Sequence, residues 1–306
     1  MRALGRYILL GRLQAVTAIS LFTVISLLIP PLSYLLSGAP AGLVILRKGP
    51  VYGMQVLLIC LLMVVLFVAL AGINPQVAFA IALGIWGPVY LCCSVLRQTQ
   101  SQGWLVFTAG TIAAVYILIV HWLIADVPAW WLQWMELLIE NAFPEGGGEQ
   151  YQEVLVQAAP AMNAIMAGGI ASSLIVTTFI SRWWQSVLFK PGGFRTEFYA
   201  LRLPNAVVFL SLTGIILLLT SGVQQGSAGL DILIVVIFLY LFQGLASVHR
   251  IVAEKSMPQV WLVMMYILLI FLPQAILIVA CLGLLDSWKN RSKVTNRPDD
   301  KNQDQP

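Results

Sequence analysis

Apolar segments of about 17–25 residues recur along this chain almost to its C-terminus. Bilayer hydrocarbon is about 30 Å thick and a helix rises about 1.5 Å per residue, so each segment is long enough to cross it. Hydrophobic residues fill 59% of the 306 positions and charged residues only 10%, most of them between the apolar runs. That is well above the apolar content of soluble domains. The pattern predicts an all-α, polytopic transmembrane helix bundle.

Eight segments are read directly: 13–29, 32–46, 51–72, 77–96, 104–125, 158–180, 204–221 and 230–248. Pro30-Pro31, Arg47-Lys48, Asn74-Pro75, Arg97 and Arg182 close them. Proline ends helices, and the residue before it avoids the helical region. A ninth region, 258–285, is interrupted by Pro273, so eight or nine spans are expected. The linkers are too short for a separate soluble domain. The chain therefore reads as one transmembrane domain over 1–288, with an outer loop at 125–157, a cytoplasmic loop at 182–203 and a disordered polar tail at 289–306. The first apolar run is too long for a signal-peptide core and is read as an uncleaved helix.

Orientation follows the bias of Lys and Arg. The N-terminal arginines, Arg47-Lys48, Arg97, the 182–203 loop and the 249–255 loop fall on one side, predicted to be cytoplasmic. The 125–157 stretch carries Asp126, Glu136, Glu140, Glu145, Glu149 and Glu153 with no Lys or Arg, and belongs outside. A single crossing at 258–285 would place Lys289, Arg291, Lys293, Arg297 and Lys301 outside. A hairpin at Pro273 would return them to the cytoplasm, and the charge bias favours it.

Few polar residues enter the spans. His121 lies near the outer end of the fifth, with Asp126 five positions on, either as a proton relay or as an interfacial pair. Asp231 opens the eighth span, where a carboxylate suits a helix N-terminus. Residues 128–143 read as a helix lying flat at the surface, with Gln133, Glu136 and Glu140 on one stripe and Trp130, Trp131 and Trp134 elsewhere. It is either an interfacial anchor or a lid over an outward pocket. His121, Asp126, Trp130, Trp134 and Asn163 are the candidate ligand-binding residues. Ala164, Gly168 and Ser172 form a small-residue row at helical spacing, suited to close helix packing or to docking a partner subunit.

No H-E-x-x-H, G-x-S-x-G or G-x-x-x-x-G-K motif is present, so no enzyme is expected. Cys60, Cys92, Cys93 and Cys281 lack metal-ligand spacing; no metal and no cofactor is expected. The net charge of +4 is scattered through membrane-proximal loops, so the lipid bilayer is the expected partner, and nucleic acid is not.

The most distinctive polar string is Phe189-Lys190-Pro191-Gly192-Gly193-Phe194-Arg195-Thr196-Glu197-Phe198, followed by Leu201-Arg202-Leu203-Pro204. Pro-Gly-Gly specifies a turn. If the string is helical, Arg195 shares a side with Tyr199 and Arg202. Gly192, Gly193, Phe194, Arg195, Glu197 and Arg202 are the candidate partner-binding residues.

With the closing Leu282-Gly283-Leu284-Leu285-Asp286-Ser287-Trp288, this string resembles the YybS-like family of bacterial polytopic membrane proteins. The resemblance implies the bacterial inner (cytoplasmic) membrane with a cytoplasmic N-terminus. It is also similar in design to the substrate-binding S components of energy-coupling-factor vitamin transporters. That likeness implies an S-component-like core in the first six spans, an outward pocket and separate coupling subunits. Two functions are expected from these readings: a small-molecule-binding subunit of a transporter, or a scaffold that assembles with envelope proteins through the 189–204 loop.

Overall fold

The computed structural model describes residues 2–29, 32–143, 148–222 and 224–295. Pro30-Pro31, Glu145 with the Gly146-Gly147 turn, and the tail from 296 onward lie outside them. The chain forms α1 Arg2–Leu10, α2 Arg12–Leu28, α3 Ala39–Lys48, α4 Pro50–Leu70, α5 Gln76–Ile81, α6 Gly87–Thr99 and α7 Gln102–Leu123. It continues with α8 Val127–Ala142, α9 Gln152–Phe189, α10 Gly193–Tyr199, α11 Val207–Ser221, α12 Ala228–Glu254, α13 Val260–Phe271 and α14 Gln274–Thr295. Among the described residues no strand occurs.

Five helices are long and apolar enough to cross a membrane: α4, the continuous Gln76–Thr99 unit of α5 and α6, α7, α9 and α12. α2, α11 and α13 are shorter apolar helices. The segment at 32–46 shows why apolar runs and long helices differ in number. It begins with a π-turn at Tyr34–Gly38, and its helical part, α3, is buried from Ala39 through Leu46. It is apolar because it lies at the centre of the bundle; short apolar helices of this kind are core helices. The π-turn faces a second one at Ala82–Trp86. There Tyr34 Oη donates to Gly84 O at 2.8 Å and Trp86 Nε1 to Ser37 Oγ at 2.9 Å.

Other boundaries also moved. Arg182 does not end its helix: α9 is 38 residues long and runs on to Phe189. The charge marks where apolar surroundings stop, which is not where the backbone must stop. Arg2 and Arg6 belong to a helix of their own, α1, whose Gly5 seats against Trp184 and Leu188, while Arg12 opens α2. The 258–285 region is divided at Leu272-Pro273 into α13 and α14, and α14 extends past the expected boundary at 288.

The centre is built from α7, α9 and α12. Gly110 lies under Leu239 and Gly168 under Phe238, so a side chain at either glycine would collide. Ala113, Ala167 and Ala171 are fully buried against Ile232 and Val235. Ala164 is buried too and Ser172 partly so. This small-residue row is therefore used inside the chain, where close approach gains dispersion contacts that lipid would otherwise supply.

Each of these three helices carries a polar pair 19 positions apart: Gln102 and His121, Asn163 and Arg182, Asp231 and Arg250. At about 1.5 Å per residue the members lie about 28 Å apart, one hydrocarbon thickness. Two polar layers result. The layer with Arg182 and Arg250 defines a basic end, and the layer with Asp231 an acidic end. Asp286 bonds Arg250 at 2.5 Å and Gln243 at 3.2 Å, so this part of α14 stands with the basic end.

Candidate functional site

At the acidic end three helices bring three polar side chains together. Asp231 is 1% exposed, Asn163 fully buried and the His121 side chain 19% exposed. His121 Nε2 lies 3.0 Å from Asp231 Oδ2, and Asn163 Nδ2 donates to the same oxygen at 2.6 Å. Against an ionised carboxylate, which accepts only, the imidazole is the donor, from Nε2. One carboxylate oxygen thus gathers donors from α7 and α9. Asp231 itself occupies the first turn of α12, where the helix dipole favours negative charge.

The site is incompletely satisfied. Among the described residues Asn163 Oδ1, Trp131 Nε1 and Ser227 Oγ are buried without a hydrogen-bond partner. The helix ends that carry these residues adjoin: Gly226, held at φ +78, sits against Pro128 and the Pro160 carbonyl. Trp131, Asn163 and Ser227 each lie within three positions of one of those three residues. Buried polar atoms are ordinarily paired, so a group of orphans marks a place where something else supplies the partner.

Asp126 does not join His121. Its carboxylate accepts from Ala129 N at 3.0 Å and caps α8, as an aspartate at a helix N-cap should. His121 instead pairs with Asp231, 110 positions away. α8 does not lie flat by itself: it runs antiparallel to the first turns of α9. Gln152 Nε2 donates to Glu136 Oε1 at 2.6 Å, and Phe143 stacks on Tyr151 with centroids 5.7 Å apart. Trp130 touches Trp131 and Trp134 edge-on, with Trp134 half exposed at the rim. Asp231 was read only as a helix-start residue. The signal that would have found it is its depth, since it is a lone carboxylate level with His121 once both helices are drawn to scale.

At the basic end, Gly192 adopts φ +83, which glycine reaches without strain, and the turn leads into α10. Ser186 Oγ donates to Lys190 O at 2.7 Å and accepts from Phe194 N at 3.1 Å. Arg195 donates to Tyr199 Oη at 2.8 Å, sharing a helix side as expected. Glu197 points inward and takes both arms of Arg182, at 2.8 and 2.5 Å. Arg202 is exposed, but its carbonyl rests on Gly103, where any Cβ would overlap it. Leu203 N donates to Gln243 Oε1 at 3.1 Å, and Arg250 to Tyr199 O at 3.1 Å. The loop is therefore clasped to α7, α9 and α12, with Gly193 buried and Phe194 stacked on Phe198.

Replacing Glu197 with Gln should loosen that clasp at a cost of about 1 kcal/mol, since the pair is bidentate but partly solvated. Limited trypsin digestion at Arg195 and Arg202 should be faster than in the wild type. Exchanging the charges, Arg182→Glu with Glu197→Arg, should restore part of the protection. If neither variant changes the cleavage rate, the ion pair does not hold the loop.

A helical bundle with five span-length helices, two polar layers a hydrocarbon thickness apart and apolar side chains facing outward between them is a polytopic membrane protein. The chain belongs to the family described as Predicted membrane protein (DUF2232), which matches residues 15–287. No curated protein and no solved structure matches it.

Proposed function

We propose that the chain is a small-molecule-binding subunit of a transporter in a bacterial inner membrane, taking its ligand at the acidic end. The observation that carries this reading is the buried Asp231–Asn163–His121 group, in which Asn163 Oδ1 has no hydrogen-bond partner among the described residues. Polar and ionisable groups inside a membrane bundle are costly, and their common use is a substrate or ion pathway. The α8–α9 hairpin is the cover, and Trp134 at its rim meets an arriving ligand. The Lys-free and Arg-free acidic end faces outward, with the N-terminus cytoplasmic. The shorter apolar helices α2, α11 and α13 complete the spans in tilted or paired form. The likeness to S components is one of design, with energising ATPases on separate chains.

The test is purification of the full chain from its native membrane in mild detergent, followed by mass spectrometry of bound small molecules. Wild-type protein should carry a metabolite that Asn163→Leu loses and that Trp134→Ala holds about tenfold more weakly while staying folded. Identical small-molecule content in wild type and Asn163→Leu would remove the proposal. A second reading, an assembly scaffold, draws on the exposure of Arg195 and Arg202 at the basic end. It would be favoured by recovery of envelope proteins that is abolished when both arginines are changed to Glu.

A further inference from the structure

A cavity, unrelated to the acidic-end site, opens at the basic end. It measures about 380 Å³, within the range of small-ligand sites, and is lined by Arg47, Arg97, Arg182, Gln100 and Gln185 together with Leu46 and Leu96. These residues come from α3, from α6 with the turn after it, and from α9. Their charges are unequally matched. Arg182 is neutralised by Glu197. Arg97 Nη1 donates to Leu46 O at 2.5 Å and to Arg47 O at 3.3 Å, capping the last carbonyls of α3. Among the described residues it meets no carboxylate. The Arg47 guanidinium makes no hydrogen bond or ion pair among the described residues; it lies over the Phe189 ring, 3.9 Å from the centroid. The wall also contains Gln100, which ends α6 in the left-handed conformation at φ +53.

We propose that this cavity binds a phosphate-bearing anion. Two guanidiniums without carboxylate partners converge on a polar cavity at the membrane boundary, one hydrocarbon thickness from the acidic layer. Arginine's planar fork matches the oxygens of a phosphate, and its weak hydration makes it the favoured partner there. Because Arg182 marks the polar layer, a headgroup phosphate of an anionic lipid sits at the right depth. A free phosphate arriving from the water has the same chemistry.

Native mass spectrometry of the full chain in detergent, titrated with phosphatidylglycerol or phosphatidylcholine, tests the proposal. A parallel thermal titration uses inorganic phosphate. Wild-type protein should retain phosphatidylglycerol in preference to phosphatidylcholine, or be stabilised by phosphate, and Arg47→Gln should bind about tenfold more weakly. Lipid preference that survives added phosphate assigns the headgroup as the source. Displacement by phosphate, or stabilisation by phosphate alone, assigns the free anion. Arg47 supports no backbone group, so R47Q should keep the wild-type thermal midpoint; Arg47→Lys keeps the charge but not the planar fork and should lose less than R47Q. Arg195→Gln, at the same end but outside the cavity, should bind as wild type. No lipid preference together with no phosphate effect overturns the proposal. Wild-type binding by R47Q, or equal losses in R47Q and R47K, does the same.

Discussion

Replacing Asp231 with Ala should destabilise the protein by about 2–3 kcal/mol, read as a lower thermal midpoint in detergent. The carboxylate oxygen accepts from both His121 and Asn163. Its removal leaves the fully buried Asn163 amide with only a long contact from its Nδ2 to His121 Nε2, at 3.4 Å, and with Oδ1 still unpartnered among the described residues. Two effects set the size. Breaking a buried ionic contact in a soluble protein costs about 3–5 kcal/mol. Interhelical hydrogen bonds in membranes average less, because helices separated in lipid also find partners. Asn163 has no access to water, which keeps the estimate above the membrane average, while the partial exposure of His121 keeps it below the soluble range. Asp231→Asn retains an acceptor and should recover about half the loss. In a double-mutant cycle, His121→Ala and Asp231→Ala should be non-additive by about 1 kcal/mol. Additive losses would mean that the two side chains are neighbours without being partners.

Gly244→Val should cost at least about 3 kcal/mol and detach α14 from α12. A Cβ at Gly244 would overlap the Val279 carbonyl, and one at Gly283 would overlap the Tyr240 carbonyl, so both helices meet backbone to backbone. Separation also weakens the Asp286 bonds to Gln243 and Arg250. Cysteine crosslinking between the two helices, alongside thermal unfolding, would report the detachment. Gly169→Ala is the matched control, because a Cβ there meets nothing within 4 Å, and alanine is the better helix former. If Gly244→Val is as mild as Gly169→Ala, the close crossing does not stabilise the bundle.

The class of fold was legible because hydrophobic run length is a local property. The α7 and α12 segments, the helix at 127–142 and the Pro-Gly-Gly turn all fall near where periodicity, proline and glycine put them. Three kinds of information were not local. Burial was one: the 32–46 run reads as one more apolar span, yet α3 is buried from Ala39 through Leu46. Charge partners were another, since Arg182 reads as a helix end until Glu197 is seen to satisfy it. The third was the site. Asp126 is near His121 in sequence but caps α8, while Asp231 is far away in sequence and completes the group.

By itself the sequence determined that this chain belongs in a membrane, that it is helical and that its two ends differ in charge. All three follow from residue-by-residue solvation, which needs no knowledge of neighbours. Only the tertiary structure decided which apolar helix is core and which faces lipid. It also decided which glycines admit a second backbone and which polar residues share one oxygen. Those are properties of pairs distant along the chain, and packing brings such pairs together only after each helix has formed.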